Sequence, residues 1–326
     1  MKKAAVSSFL IAAMLLVVAG IEAQQPAKIP RIGFFSSVGD PNTPSPNREA
    51  FRQALRDLGY IEGKNIRIEY RDHEGMNDRI PSLVAELVQL KLDVIVVSAL
   101  PAIRAAKQAT KTIPIVMVAT QDPVATGLID NLARPGGNIT GLSRLTRELS
   151  GKRLEMLREV VPGMSRVGVL WNTDRATAFK EYETAAHALK IQLQSLGVRG
   201  PDADLEGAFQ AAVKGRVSAL ITILDSLLNR YPKQIAALAI KNRLPSMFEG
   251  SDFVEAGGLM SYAANDPENY RRAAYYVDRI LKGTKAADLP VEQPTKFEFV
   301  INLKTAKQIG LAIPPNALAR ADRVIR

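Results

Sequence analysis

The chain has 326 residues, of which 47% are hydrophobic, and it carries a formal net charge of +10 at pH 7. A chain of this length and composition can bury a large core, and it is long enough for two domains of about 150 residues each. Because it contains no cysteine, we exclude disulfides, thiolate metal sites, a cysteine nucleophile and the lipid-bearing cysteine of an anchored lipoprotein.

The surplus of basic residues does not by itself predict nucleic-acid binding. Acidic side chains are interspersed with the basic ones, and aromatic residues make up 6% of the chain. A nucleic-acid surface would instead concentrate its basic residues in a patch or stripe. We therefore expect a solvated charged surface and no nucleic-acid partner.

The first 23 residues have the pattern of a secretory signal peptide. Lys2 and Lys3 precede an apolar run over residues 9–19, and the small Ala23 suits cleavage by a signal peptidase. An uncleaved membrane anchor is the alternative, because Lys3 and Glu22 bracket about 18 uncharged residues, near the lower limit for a spanning helix. The shorter apolar centre favours cleavage, so we expect an exported chain in the periplasm.

From residue 31 onwards, short apolar segments alternate with segments of helical periodicity. In the first half we predict strands at 31–35, 65–70, 93–97 and 113–118, with helices at 47–58, 79–90 and 102–110 between them. This order is typical of a parallel sheet with helices on both faces.

The glycine-rich turn at residues 135–138 predicts a crossing between two lobes at 138–142. The alternation then resumes with helices at 150–161, 176–195, 205–214 and 231–242, and strands at 166–171, near Leu196, at 219–224 and at 244–248. Residues 259–262 predict a return crossing, followed by a helix at 270–281, a third crossing at 293–297 and a strand at 297–303.

The predicted fold is therefore α/β, with two doubly wound parallel-sheet lobes joined by a three-strand hinge. After the signal peptide at 1–23, we assign residues 30–140 plus 262–295 to one lobe and 141–261 plus 296–326 to the other. Multiple crossings favour a hinge motion that opens and closes the cleft between the lobes.

In open α/β sheets, ligands bind beyond the carboxyl ends of the strands, where loops lead into helix N-termini. The candidate binding residues therefore lie in loops that follow predicted strands. In the first lobe they are Ser36, Ser37, Asn47, Ser98, Ala99, Thr120 and Asp122; in the second they are Asn172, Asp225, Ser226 and Glu249, with Ser251 and Asp252 in the same loop; Tyr262 lies at the hinge.

An amino-acid zwitterion suits these side chains. Ser37 and Ser98 can hold its carboxylate at helix starts, and Asp122 or Asp225 can pair with its ammonium group. Structural alternatives stay open, because the serines and aspartates equally suit the capping of helix N-termini. Asp122 would do so as the first residue of an Asp-Pro turn. Glu249 equally suits capping or a solvated surface position. Tyr262 equally suits a packing role in the hinge.

Three segments resemble those of the substrate-binding proteins of ABC importers, and more narrowly the TrpX-like group, which includes tryptophan- and tyrosine-type binding proteins. They are residues 58–65 (LGYIEGKN), 134–141 (RPGGNITG) and 292–298 (EQPTKFE). The resemblance spans residues 31–315 and implies the type I periplasmic-binding-protein fold and an aromatic amino acid as ligand. The chain departs from Gram-positive relatives by lacking their lipobox cysteine.

The residues themselves give modest support for an aromatic ligand. Aromatic side chains near predicted strand ends can build an apolar wall: Phe34, Phe35, Trp171, Phe248 and Tyr262. For Trp171, a buried position between sheet and helix is favoured over a ligand contact. Branched aliphatic amino acids and aromatic acids remain alternative ligands.

Enzymatic interpretations have little support. His73 and His187 are the two histidines, and neither has the spacing of a metal ligand. The sequence has no nucleophile elbow, and no phosphate-binding loop follows the first strand. Carboxylate pairs acting on a sugar across the cleft are the enzymatic alternative. We predict no catalytic residue, no cofactor and no metal.

The sequence-based hypothesis is a monomeric periplasmic solute-binding component of an ABC importer. It closes on a small ligand, an amino acid of the aromatic class, and delivers it to a membrane permease. A ligand-sensing module that reports to a membrane receptor is the alternative, because it would use the same cleft. A transcription regulator of this fold is disfavoured, since an export signal stands where a DNA-binding helix-turn-helix would lie.

Overall fold

The computed structural model describes residues 28–36, 45–74, 76–119, 122–144, 149–200, 202–294 and 296–326, with backbone only at 175–178. The predicted signal peptide and the candidate residues Ser37 and Thr120 lie outside these ranges. In the part of the chain that the structure describes, no helix combines the length and the apolar character that crossing a bilayer requires.

A five-stranded parallel sheet forms the first lobe. Its strands are β1 (Arg31–Ser36), β2 (Arg67–Asp72), β3 (Val94–Ser98), β4 (Ile115–Ala119) and β5 (Ile139–Ser143), in the spatial order β2-β1-β3-β4-β5. The helices are α1 (Pro46–Asp57), α2 (Ile80–Gln89) and α3 (Leu100–Ala109). Strands β3 and β4 are buried along their whole length, as their continuous apolar sequences predict for strands covered on both faces.

A seven-stranded sheet forms the second lobe, in the order β12-β11-β10-β9-β8-β6-β7. The strands are β6 (Arg166–Asn172), β7 (Gln192–Val198), β8 (Ala219–Thr222), β9 (Ser246–Phe248), β10 (Met260–Ala264), β11 (Phe297–Asn302) and β12 (Arg323–Ile325). All paired neighbours are parallel except β10 and β11. The predicted α/β class with two sheets is confirmed.

The remaining helices cover this second sheet, except α9, which returns to the first lobe and packs against α1 and β4. They are α4 (Ser150–Val160), α5 (Ala176–Leu189), α6 (Leu205–Lys214), α7 (Pro232–Lys241), α8 (Ser251–Glu255), α9 (Asp266–Leu281), α10 (Leu303–Ile309) and α11 (Pro315–Ala319). Helix α5 ends six residues before the predicted 195, because Lys190 adopts a left-handed conformation (φ 55°) and β7 begins at Gln192.

The chain passes between the lobes three times, at positions that differ slightly from the sequence-based division. All of β5 pairs with β4, so the first crossing follows Ser143 instead of lying within residues 138–142. Strand β10 stays in the second sheet to Ala264, so the second crossing lies near Asn265 instead of at 259–262. The third crossing runs from Glu292, which is bridged to β5, to the start of β11.

Glu292 ties the third crossing to the first lobe. Its backbone N–H donates to the Gly141 carbonyl over 3.0 Å, and its own carbonyl accepts from the Ser143 N–H over 2.9 Å. Its carboxylate accepts two hydrogen bonds from the Arg272 guanidinium, of 2.7 and 2.6 Å. The guanidinium in turn lies 4.0 Å from the centroid of the Tyr275 ring. This crossing is therefore anchored on the first-lobe side of the hinge.

We predict that Gly141→Ala is strongly destabilising. Gly141 has φ 129°, and a Cβ there would lie 2.2 Å from the Met117 carbonyl oxygen of β4. Backbone strain and the clash together should lower the free energy of unfolding by about 3 kcal/mol. Gly137→Ala is the matched control, since Gly137 also has a positive φ, of 58°, but no atom within 4 Å of the added Cβ. It should cost about 1 kcal/mol. Urea unfolding followed by circular dichroism measures both, and equal losses would contradict the close pairing of β5 with β4.

Candidate functional site

A cavity lies between the lobes, at the carboxyl ends of β1, β3, β8 and β9. Its volume is about 70 Å³, several times the minimum that one water molecule needs. It is therefore a water-accessible cleft and not a packing defect. The lining residues are Phe34, Ser36, Ser45, Asn47, Ser98, Ala99, Arg144, Asp266 and Tyr270 on the first-lobe side, and Leu224, Asp225, Ser226, Asn229, Gly250, Asp252 and Phe253 on the second-lobe side.

A buried ion pair supports the first-lobe wall. Arg48, on α1, donates to Asp72, at the end of β2, over 2.9 Å, and their side chains are 6% and 4% exposed. The Ser36 hydroxyl donates to the other oxygen of Asp72 over 2.8 Å. Ser45 caps α1 by accepting from the Arg48 N–H. This network fixes the three residues 36, 45 and 47 that α1 and β1 present to the cavity.

The start of α3 forms another part of this wall. Ala99 precedes the helix with φ 68° and ψ 131° and provides no side-chain cap. A residue with a Cβ is strained in such a conformation, and strain of this kind concentrates at binding sites. In the first helical turn Pro101 has no N–H, and the Ile103 N–H donates to the Ala99 carbonyl over 3.0 Å. The N–H groups of Leu100 and Ala102 are the ones that can favour an anion at this helix start. Ser98, just before Ala99, is hydrogen-bonded to the buried hydroxyl of Tyr270.

Two carboxyl groups and one guanidinium line the cavity. The Nε atom of Arg144 lies 2.9 Å from an oxygen of Asp266. Burial raises the pKa of Asp266, although Arg144 partly offsets this. Burial, and next the charge of Asp266, raise the pKa of Asp252. The cavity therefore has an excess of negative charge when both acids are ionised.

Asp225 and Ser226 form part of the second-lobe wall. One oxygen of Asp225 accepts from the Asn172 side chain over 2.7 Å, and the other accepts from the Leu228 N–H over 2.9 Å. These bonds hold the loop that follows β8. The Ser226 hydroxyl donates across the cleft to Asn77 of the first lobe over 3.3 Å. The lobes therefore touch beside the cavity.

Of the described candidates from the sequence, the structure brings seven to the cavity: Ser36, Asn47, Ser98, Ala99, Asp225, Ser226 and Asp252. Asp122 and Tyr262 do not line it. The Asp122 carboxylate accepts from two backbone N–H groups of the following turn, at 2.7 and 3.1 Å, so it is a turn cap. Tyr262 packs against the rings of Phe297 and Phe299 in the second lobe.

Asn172 and Glu249 also lie away from this cavity. Asn172 supports Asp225 and borders a second hollow between the lobes, next to Asn77. Glu249 points into the second lobe, where it pairs with the buried Arg153. Both follow strands as predicted, but the direction of a side chain beyond a strand end depends on the partners that surround it.

The cavity residues that were not predicted from the sequence include Arg144, Asp266 and Tyr270. Arg144 comes directly after β5, so the rule of strand carboxyl ends would have found it if β5 had been assigned to the first sheet. Asp266 and Tyr270 lie in the first turns of α9, for which the sequence predicted a start only at residue 270. Their signal was the sequence Asn-Asp-Pro at 265–267, which caps and begins a helix.

The predicted aromatic wall differs from the observed one. Phe34 lines the cavity, with Tyr270 and Phe253 as its aromatic partners. Trp171 instead stacks on Phe179 within the second lobe, with ring centroids 4.9 Å apart. The other predicted members, at positions 35, 248 and 262, pack within their own lobes.

Residues 42–325 match the protein family described as ABC transporter substrate binding protein. The chain belongs to this family. The predicted family is therefore confirmed, and it is a family of binding proteins and not of enzymes.

Several relatives of this substrate-binding protein are characterised. The tyrosine-binding protein of Clostridioides difficile (strain R20291) is 27% identical over 266 residues, which are 81% of this chain and 76% of that protein. The crystal structure of a conserved domain protein from Vibrio cholerae is 28% identical, with a TM-score of 0.83 over 91% of this chain and 100% of that one.

Two further solved structures show the fold. An ABC domain from Streptococcus pneumonia in complex with L-Trp is 24% identical, with a TM-score of 0.77 over 90% of this chain and 100% of that one. The leucine binding protein LivK of Thermotoga maritima is 14% identical, with a TM-score of 0.59 over 86% and 87% of the two chains. The substrate-binding protein thus has the type I periplasmic-binding-protein fold that the sequence predicted.

We predict that His73 makes this binding protein less stable in acid. Its ring is fully buried and stacks on Phe35 at 5.7 Å, and burial lowers its pKa to about 4. The unfolded chain, in which a histidine has a pKa of about 6.5, therefore binds a proton that the folded protein does not. Between pH of about 6.5 and about 4 this group lowers the stability as the pH falls, by up to about 1.4 kcal/mol per pH unit.

Urea unfolding at pH 7.0, 5.5 and 4.5 tests this effect. His73→Gln should reduce the loss of stability between pH 7.0 and 4.5, because the titrating ring is removed. His187→Gln is the matched control; His187 is exposed on α5, and its replacement should leave the pH dependence unchanged. Identical pH dependence in the wild type and in His73→Gln would contradict the prediction.

Proposed function

We propose that this protein is the extracytoplasmic solute-binding component of an ABC importer. It binds a free amino acid with an aromatic side chain between its lobes and delivers it to a membrane permease. Membership of the substrate-binding family supports the general role. The observation that carries the choice of ligand is the cavity wall, which combines a guanidinium, carboxylates and aromatic rings in one enclosed cleft.

The carboxylate of the ligand binds on the first-lobe side. Arg144 has a side chain that is 10% exposed, and so it offers a nearly dehydrated positive charge. Ser98 offers a hydroxyl, and Ala99, which also lines the cavity, directly precedes the N-terminus of α3. A guanidinium, a hydroxyl and a helix N-terminus are each favourable partners of a carboxylate.

The ammonium group binds to Asp252 and Asp266. Asp252 is exposed and Asp266 is half-buried, but desolvation raises the pKa of both, and for Asp252 the charge of Asp266 is the next cause. A ligand ammonium relieves that repulsion and stabilises both carboxylates. Asp225 is the weaker candidate, because backbone and amide donors already hold its two oxygens. An acid without an amine would leave the excess negative charge uncompensated, so aromatic acids are disfavoured.

The aromatic rings provide the pocket for the ligand side chain. Phe34 and Tyr270 lie with their centroids 5.9 Å apart on one side, and Phe253 and Leu224 lie on the other. Such a set favours a flat apolar group. The tyrosine-binding relative and the L-Trp complex support the same class of ligand.

Ligand contacts to both lobes explain how binding closes the cleft. The proposed carboxylate partners belong to the first lobe, and Asp252 and Phe253 belong to the second. Only the closed arrangement offers all of these contacts at once, so the ligand shifts the population toward it. The closed form is the one presented to the permease.

We predict that L-tyrosine or L-tryptophan binds with saturation in isothermal titration calorimetry. Removing either charge of the ligand should weaken binding at least 10-fold, because its partner in the closed cleft then loses the counter-charge. Tryptamine, which lacks the carboxylate, and indole-3-propionate, which lacks the ammonium group, make this comparison. Equal affinity of indole-3-propionate and L-tryptophan would contradict the role of the carboxylates, and absence of binding by all aromatic amino acids would contradict the proposed ligand class.

We also predict that Asp252→Asn weakens binding of the amino acid at least 10-fold, because the neutral amide cannot pair with an ammonium group. Asp122→Asn is the matched control, since Asp122 caps a turn outside the cavity. It should leave the affinity unchanged. Calorimetric titration of both variants at pH 7.5 measures the difference. Unchanged affinity in Asp252→Asn would remove Asp252 from the binding site.

A further inference from the structure

A second buried ion pair lies behind the second-lobe wall of the cavity. Arg153 lies on α4, and Glu249 directly follows β9. Their side chains are 0% and 3% exposed, and the Nη1 and Oε1 atoms lie 3.0 Å apart. Neither side chain lines the cavity. The pair therefore does not contact the ligand.

Glu249 holds both cavity loops of the second lobe. Its Oε2 atom accepts from the Leu224 N–H over 2.8 Å, and Leu224 belongs to the loop after β8. Its Oε1 atom accepts from the hydroxyl of the buried Tyr182 over 2.6 Å. The next residue along the chain, Gly250, is itself part of the cavity wall. One carboxylate thus joins the loop after β8 to the loop after β9.

Arg153 connects the same carboxylate to the hinge. Its Nε atom donates to the carbonyl of Tyr262 over 2.8 Å. Tyr262 lies on β10, the strand that leads into the second crossing. Arg153 itself lies on α4, the helix that follows the first crossing. The pair is therefore bonded both to the cavity wall and to elements at two of the three crossings.

The chemistry of the pair favours a positioning role over a stabilising one. Taking two charges out of water costs about as much as their attraction returns, and apolar residues of similar size often serve stability equally well. A charged pair with several fixed hydrogen bonds instead holds the groups bonded to it in one arrangement. Here that geometry includes the backbone of Leu224 in the cavity wall and the backbone of Tyr262 at the hinge.

We propose that Arg153 and Glu249 are positioning residues that couple the shape of the cavity wall to the arrangement of the lobes. The expected effect on ligand affinity rests on the proposed function, whereas the expected effect on the arrangement of the lobes does not. Without the pair, the loops after β8 and β9 lose their common anchor, and β10 loses its bond to α4.

The test is the double variant Arg153→Met/Glu249→Gln, which removes both charges together and so leaves no unpaired buried charge. The matched control is Glu159→Gln/Arg320→Met, which removes an ion pair that also involves α4 but lies outside the cavity wall and the crossings. Calorimetry with L-tyrosine and L-tryptophan measures affinity. Thermal unfolding measures stability separately.

The distance between the lobes distinguishes the two roles, because removing an ion pair that serves only stability would leave this distance unchanged. Because the chain contains no cysteine, Lys64→Cys in the first lobe and Lys214→Cys in the second allow specific spin labelling at exposed sites. Pulsed electron paramagnetic resonance then gives the distribution of distances without ligand and with saturating L-tyrosine or L-tryptophan.

We expect the double charge variant to bind at least 10-fold more weakly and to show a broader or shifted distance distribution without ligand, with an unfolding temperature near that of the wild type. The control pair should match the wild type in all three measurements. Wild-type affinity and wild-type distances in the double variant would overturn the proposal, as would weaker binding explained by lower stability with unchanged distances.

Two further outcomes, a double variant that does not fold and a wild type that does not bind these ligands, can be told apart from failure of the proposal. Should the double variant fail to fold, Tyr182→Phe keeps both charges and removes only the hydroxyl that donates to Glu249 and accepts from Arg153. We expect it to bind about fivefold more weakly with little loss of stability, and unchanged affinity and distances would overturn the proposal.

Should the wild type bind neither L-tyrosine nor L-tryptophan, the proposed ligand class fails, whereas the distances measured without ligand still decide whether the ion pair affects the hinge.

Discussion

Each lobe fixes its wall of the cleft with one ion pair that is withdrawn from water: Arg48 with Asp72 in the first, and Arg153 with Glu249 in the second. Such pairs add little net stability, but removing one partner leaves an unpaired buried charge and strongly destabilises the protein. They are therefore suited to holding a fixed arrangement. With both walls fixed in this way, the freedom that remains lies in the crossings between the lobes.

The crossings limit that freedom to hinge motion. The third crossing is held against β5 by two backbone hydrogen bonds of Glu292 and by its bidentate pairing with Arg272. Two further passages of the chain lie after Ser143 and near Asn265. Three connected passages resist sliding and twisting of the lobes but still permit rotation that opens the cleft. A cavity lined from both lobes is then the natural place for a ligand to act on the motion.

Periodicity in the sequence predicted the sheets well, because continuous apolar strands such as β3 and β4 and helices such as α6 at 205–214 are defined by local pattern. It placed the end of α5 wrongly, since a lysine at 190 gives no sign of a left-handed conformation. The rule of strand carboxyl ends located the cavity, but it did not say which way Asp122 or Glu249 would point. Arg144 was missed because β5 was treated as a crossing, although it is an edge strand of the first sheet.

The excess of carboxylates in the cleft has a consequence for closure. Asp252 and Asp266 both line the cavity, and desolvation already raises the pKa of each. Closing the lobes without ligand removes more water from these groups, and the single guanidinium of Arg144 cannot neutralise both. An ammonium ligand supplies the missing charge, while its carboxylate adds a second partner for Arg144. Under the proposed function, closure is favourable with the zwitterion and unfavourable without it, and this difference in free energy would allow a permease to distinguish the loaded protein from the empty one.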